Sequence, residues 1–312
     1  VSAFGVVNTQ LLKSAFFRFE LVERIAQQQA FFHWPLRFAD IYADSAHTQE
    51  AGAQEGFDLI LGNPPWLLVG WNSSAVLGDF EPMLVLRNFS ANKAEQLRDA
   101  IFAKDPAIQH LWLAEYVETA GTQNFLGDLS NYPVLQGQKA NLYKCFLPQA
   151  WNNSSPLGVS GFLHPEGVYD DPRGGGLRRE LYKRLRATFQ YTNEVLLFKE
   201  VDNYTRYGTN IYGVSRTSPS FLAISNLFIP QTVDQCFIHN GDGAVPGIKE
   251  EVESASGVIS SIWNTEGHKA RIIPVTDKEL ALFAQLYDEA GTDPLEARLP
   301  ALHTTQLLAV LQ

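Results

Sequence analysis

Apolar residues recur at helical spacing through Leu11, Leu12, Ala15, Phe16, Phe19, Leu21, Val22 and Ile25, which predicts one helix over 9–32 with Thr9 as its cap. The segment 31–36 is expected to be extended, because a residue ahead of Pro35 avoids the α region. Small polar residues over 43–56 predict a surface loop. A short apolar run over 57–61, bounded by Gly56 and Gly62, suits a buried strand of a parallel sheet. Asn63-Pro64-Pro65-Trp66 stops that strand abruptly. A loop over 67–80 follows, then helical periodicity over 91–102 and 107–120, a loop over 121–138, and a helix over 141–151 interrupted near Pro148. A second buried strand is expected over 157–164, and a glycine-rich loop with a basic helix over 174–188. Strands are expected at 194–198 and 209–214. Beyond Pro219 the pieces are short and amphipathic, ending in helices over 278–290, capped by Asp277, and 302–311. Strand, helix, strand, helix, strand, strand is the rhythm of an α/β fold whose last two strands pair antiparallel. A soft boundary near 216–220 separates residues 1–218 from a mainly helical extension over 219–312. There are no internal repeats.

The chain has 312 residues, 45% hydrophobic and 19% charged, which excludes a disordered protein and leaves ample core material. No apolar run approaches the roughly 20 residues of a membrane span, so no membrane partner is expected. The first residues lack a basic region followed by a long apolar stretch, so no secretory signal is read there. Two cysteines, Cys145 and Cys236, cannot build a disulfide framework or a four-cysteine zinc site, and they fit a reducing cytoplasm. The seven histidines have no metal-ligand spacing, so no metal is expected. Lys and Arg number 24 against 34 Asp and Glu, a net charge of −10, which weighs against this chain gripping duplex DNA by itself. The chain opens on Val1 and its one methionine is Met83. Either an initiator has been removed, or the sequence is a piece of a longer protein.

The sharpest chemical signal is Asn63-Pro64-Pro65-Trp66. In open α/β sheets ligands bind beyond the carboxyl ends of strands, where this turn falls. The Asn63 amide oxygen is a neutral acceptor for an exocyclic amine. Two prolines stiffen the turn and leave the Pro64 carbonyl free to accept a second amine hydrogen. Trp66 offers a face for stacking a base. Two acceptors on one amine let its nitrogen become tetrahedral and attack an electrophilic methyl group. The proton leaves after transfer, so no strong base is needed. The plain alternative is a turn started by Asn-Pro.

Phe57-Asp58-Leu59-Ile60-Leu61-Gly62-Asn63-Pro64-Pro65-Trp66 resembles the catalytic motif of gamma-type DNA adenine-N6 methyltransferases. The wider chain is similar to the methylase region of type IIG restriction–modification and phage-defence enzymes. Residues 31–38, 141–146, 164–186 and 210–213 support the likeness. The resemblance implies a partial class I, Rossmann-like fold dependent on S-adenosylmethionine, acting on double-stranded DNA with the target adenine flipped out. It implies that Asp40, Asn141 and Tyr143 face the cofactor, with Phe146 on the same helix. His164 either lines the target-base pocket or is a satisfied polar residue at a strand end. Tyr207 or Tyr212 adds a stacking contact, Tyr212 being equally suited to the core. Arg178 and Arg179 lie in a basic cluster with Arg173, Lys183, Arg184 and Arg186 that either meets phosphates or is a solvated face.

Such enzymes carry a glycine-rich turn upstream of the catalytic motif, and none stands upstream of Asn63. The first half of the cofactor-binding fold and the target-recognition domain are therefore expected elsewhere, leaving the strand over 57–61 at a sheet edge or covered by residues 1–40 or a partner. Gly174-Gly175-Gly176 lacks the following Lys-Ser/Thr of a phosphate loop, which excludes nucleotide hydrolysis. Two other readings stay open: methylation of a protein glutamine or RNA guanine amine, and a non-catalytic truncated methylase serving DNA binding or assembly.

Overall fold

The computed structural model describes residues 8–42, 56–87, 89–139, 141–253 and 259–311. The chain divides into two compact units, Val1–Phe57 and Asp58–Gln312. The loop expected over 43–56 lies, Gly56 apart, outside the described residues.

The first unit is helical. Where one helix was expected there are two, α1 (Thr9–Ala15) and α2 (Phe17–Gln29), because Phe16 adopts an extended backbone with φ −136° between them. The cap of α1 is Asn8, whose side chain accepts from the Leu11 N–H. Ala30, with φ 47°, ends α2 in the left-handed region. The segment expected to be extended instead holds a short turn, α3 (Trp34–Arg37), with Pro35 in its first turn, where a missing N–H costs nothing. A second short turn, α4 (Ala39–Tyr42), follows. Trp34, Phe38 and Tyr42 gather edge-on around Phe57 at 5.2 to 5.9 Å.

The second unit is mixed α/β. It opens with β1 (Phe57–Gly62), then α5 (Ser73–Gly78), α6 (Met83–Leu86), α7 (Ala91–Lys104) and α8 (Pro106–Gly127). Helix α8 runs well into the loop expected over 121–138. Helix α9 (Leu142–Asn153) passes straight through Pro148, where an interruption was expected. Its buried face of Tyr143, Leu147 and Ala150 offsets the one lost backbone hydrogen bond. After it come β2 (Ser154–Pro165), α10 (Gly167–Asp170) and α11 (Gly175–Arg184). The chain then forms β3 (Leu185–Thr192) and β4 (Arg206–Tyr212). The strand expected at 194–198 is thus at 185–192. Leu185 prolongs the i, i+4 row of Leu177 and Leu181, which masks the two-residue alternation that begins there.

The region beyond 218 is a correction. In place of a mainly helical extension it supplies β5 (Ser220–Leu227), α12 (Gln231–Ile238), a hairpin of β6 (Lys249–Glu253) and β7 (Ile259–Trp263), then β8 (Ile273–Thr276), α13 (Asp277–Tyr287) and α14 (Thr305–Leu311). β5 pairs parallel with β3 across the expected boundary, so no break falls there.

The main sheet has the order β1-β2-β4-β3-β5-β8. β4 runs antiparallel to both β2 and β3, and β8 runs antiparallel to β5. Asp58 meets Ser155 near the start of β1 and β2, and Gly62 faces Phe162 near their ends, so these two run the same way. Four strands therefore share one direction and end at one edge. Leu147, Leu177, Leu181, Tyr182 and Phe283 fill one hydrophobic cluster; Tyr191, Tyr207, Ile224, Leu227 and Cys236 form a second. Trp66 packs against both. Among the described strands β1 ends the sheet, as expected, with Leu59 and Leu61 60% and 71% exposed. No described helix is long and apolar enough to cross a membrane.

Candidate functional site

The chain leaves β1 at the carboxyl edge of the sheet. There Asn63 is exposed, Pro64 buried, Pro65 exposed and Trp66 half-buried. The indole N–H of Trp66 donates to the Leu163 carbonyl on β2 at 3.4 Å. Its ring lies 5.7 Å from Tyr207 and 6.0 Å from Phe198, which themselves meet edge-on at 5.1 Å. Tyr191 stacks behind Tyr207 at 5.7 Å. Pro64 anchors the turn while Asn63 stays open to solvent, beside an aromatic wall drawn from three strand ends. Of the two tyrosines considered for a stacking contact, Tyr207 is the one that touches Trp66.

The segment after the motif is tied down. The Leu142 N–H donates to the Leu67 carbonyl at 2.9 Å, and Leu68 bridges Asn141. Gln123 of α8 donates to the Val69 carbonyl at 2.9 Å. Asn141 caps α9, yet its Oδ1 is buried with no hydrogen-bond partner. Phe146 is exposed. Tyr143 is buried and stacks on His164 at 5.6 Å, and burial pushes its hydroxyl pKa up. It is part of the packing. Asp40 is an exposed residue of α4 in the first unit.

His164 has no exposed surface. Its Nδ1 lies 2.8 Å from the Pro165 carbonyl and its Nε2 2.8 Å from the Tyr212 hydroxyl. A carbonyl only accepts, so Nδ1 carries the proton and Nε2 accepts from Tyr212. Burial lowers its pKa to about 4. Tyr212 is equally buried. Of its two readings His164 thus takes that of a satisfied polar group at a strand end, and Tyr212 belongs to the core and is not a stacking contact.

The basic helix α11 is corrected as well. Arg178 is buried, with its guanidinium spent on the carbonyls of Glu296, Asp171 and Val168 at 2.8, 2.7 and 3.5 Å. Arg179 pairs with Glu296 at 2.7 Å and Asp293 at 3.1 Å. Lys183 and Arg184 pair with Glu180. Arg178, Arg179, Lys183 and Arg184 are thus engaged from within the chain, which sequence spacing alone does not reveal.

Two residues went unread in the sequence. Phe198, expected on a strand, sits on the β3–β4 loop against Trp66. Asn193 pins that loop. Glu166, Tyr169, Thr188, Gln190, Tyr207 and Ser225 line a small recess open to solvent. Burial raises the Glu166 pKa against the partial relief of Arg206, 3.8 Å away. Among the described residues, no cluster of three or more His, Cys, Asp or Glu is placed to hold a metal ion.

No family model matches the sequence, and no curated protein is similar to it. Structural neighbours are restriction–modification methyltransferase subunits, at low identity and over part of their length. The type I methyltransferase subunit of Streptococcus thermophilus is 16% identical, with a TM-score of 0.31, over 60% of this chain and 29% of that one. The EcoKI M protein is 12% identical, with a TM-score of 0.31, over 56% and 42%. A modification subunit of a putative type I restriction enzyme from Vibrio vulnificus YJ016 is 14% identical, with a TM-score of 0.26, over 39% and 31%. This chain spans less than half the length of each of these neighbours.

Proposed function

We propose that this chain carries the amine-binding side of a site-specific DNA adenine-N6 methyltransferase that uses S-adenosylmethionine. One observation carries the reading: Asn63-Pro64-Pro65-Trp66 leaves a strand at the carboxyl edge of the sheet with Asn63 open to solvent and Trp66 set in an aromatic wall. The Asn63 amide oxygen and the Pro64 carbonyl each accept one hydrogen of the exocyclic amine. Drawing both hydrogens to one side leaves the nitrogen lone pair directed away from the base plane. An adenine swung out of the duplex stacks on the outer side of Trp66 and Phe198, excluding water from the amine.

When bound, S-adenosylmethionine supplies the electrophilic methyl group. The fit to it is partial. Asn141 Oδ1, buried and without a partner beside the segment that follows the motif, suits one donor of the cofactor. Tyr143 is packed inside, and Asp40 belongs to the other unit. In this reading the glycine-rich turn and the target-recognition domain lie outside the 312 residues.

Transfer of labelled methyl from S-adenosylmethionine to duplex DNA, with analysis of the modified nucleoside, tests the proposal in the intact protein. N6-methyladenine that disappears in Asn63→Ala supports it. Label recovered in protein glutamine or RNA guanine instead replaces the substrate class while keeping the amine chemistry.

A further inference from the structure

Asn193 directly follows β3 and has no exposed surface. Its Nδ2 donates to the carbonyls of Phe198 at 2.7 Å and Val201 at 2.8 Å, and to that of Asp202 at 3.5 Å. Its Oδ1 accepts from the Phe198 N–H at 3.0 Å. Its own N–H donates to the Thr205 carbonyl at 3.1 Å. The hydrogen-bonding capacity of this side chain thus goes to the backbone of the loop returning from β3 to β4. That loop has no ladder of its own, and its apolar residues Val195, Leu196, Leu197 and Tyr204 are exposed, so little packing holds it. Leu196 takes a left-handed backbone, φ 54°, and its N–H returns to the Asn193 carbonyl at 2.8 Å. Asn193 grips Phe198 from both sides of its peptide, and the Phe198 ring meets Trp66 and Tyr207.

We propose that Asn193 is a positioning residue, whose carboxamide fixes Phe198 in the wall with Trp66 that receives the target base. The proposal rests on the reading that this wall stacks an adenine. A side chain of the same polarity on the surface would be screened by water. Buried, it acts as a clamp because one carboxamide holds the Phe198 N–H and the Phe198 and Val201 carbonyls together, although the Phe198 carbonyl also takes the Val201 N–H at 3.3 Å.

Two measurements on the 312-residue chain test this and keep the two ideas apart. Trypsin cleavage after Lys199, an exposed residue of the loop, reports the clamp. Fluorescence quenching of a single-stranded deoxyoligonucleotide carrying 2-aminopurine reports stacking on the wall. Asn193→Ala is expected to keep a cooperative unfolding transition, to be cut after Lys199 roughly tenfold faster, and to lose quenching to the level of Phe198→Ala. Asn193→Asp retains the acceptor for the Phe198 N–H and is expected to fall between; it stands in if Asn193→Ala does not fold. Wild-type quenching or wild-type cleavage in these Asn193 variants, with quenching lost in Phe198→Ala, overturns the positioning role and leaves the stacking reading intact. Wild-type quenching in both Trp66→Ala and Phe198→Ala overturns the stacking reading and the positioning role with it, whatever the cleavage rate.

Discussion

Trp66 and Tyr207 meet with ring centroids 5.7 Å apart, although one follows β1 and the other stands on β4. Strand β2 lies between, and its Leu163 carbonyl takes the indole N–H. Trp66 therefore has a structural duty beside any role in stacking. Trp66→Phe keeps the ring and is expected to be mild. Trp66→Ala is expected to weaken base stacking by about 1–3 kcal/mol and to lower stability as well. A 2-aminopurine signal unchanged in Trp66→Ala, in chain shown to be folded, removes the stacking role.

Asn63 is exposed, so its replacement leaves the fold untouched. Asn63→Ala is expected to slow methyl transfer in the intact protein by about 100- to 1000-fold, the effect of losing one oriented group at a reacting centre. Cofactor affinity is expected to stay at the wild-type value. Single-turnover rates measured with saturating DNA check the assignment, and a near wild-type rate sinks it.

Arg178 and Arg179 are neighbours with opposite prospects. Arg178→Ala removes a buried guanidinium that ties together three backbone carbonyls and is expected to cost about 3 kcal/mol in urea unfolding. Arg179 is partly exposed in its ion pairs, so Arg179→Ala is expected to cost no more than about 1 kcal/mol. Neither change is expected to alter the salt dependence of DNA binding. A shallower salt slope in Arg179→Ala contradicts the engagement of Arg179 within the chain.

His164 makes stability depend on acid. Its folded pKa of about 4 lies below the ordinary 6.5, so the unfolded chain binds the proton more readily. The stabilising effect is complete above pH 6.5 and fades as the pH falls toward 4, by about 3 kcal/mol in all. His164→Gln is expected to flatten that part of the stability profile. An unchanged slope between pH 6.5 and 4 places the acid sensitivity on other groups.

The 312-residue chain alone is expected to bind S-adenosylmethionine negligibly, since Tyr143 is packed inside and Asp40 belongs to the other unit, leaving Asn141 Oδ1 as a single buried acceptor among the expected cofactor side chains. Calorimetry is the direct check. Micromolar binding moves the cofactor site into the residues described above.

The sequence spoke clearly where one local rule acts. The glycine bounds of β1 and its abrupt double-proline stop located the motif, and β2 and β4 fell within a few residues of expectation. It was silent where tertiary pairing decides. Leu185 satisfies both a helical row and a strand, and only pairing with β4 and β5 settles it as β3. Phe198 sits in an apolar run that propensity reads as a strand, but Asn193 captures the backbone first. Arg178 looks like a surface charge in the sequence, because its acceptors are carbonyls as distant as Glu296.

The partnership of Asp58 with Ser155 spans 97 positions. At about 5–20 residues per second of synthesis, β1 and the turn behind it wait roughly 5–20 s before the strand they lean on has been made. Helices α5 to α8 fill that interval with local contacts, which form fast, whereas β1 must pay a long loop-closure entropy before it docks. During birth the chemistry-bearing turn is thus a late arrival, exposed to chaperones and to wrong strand partners for longer than any segment between β3 and β4.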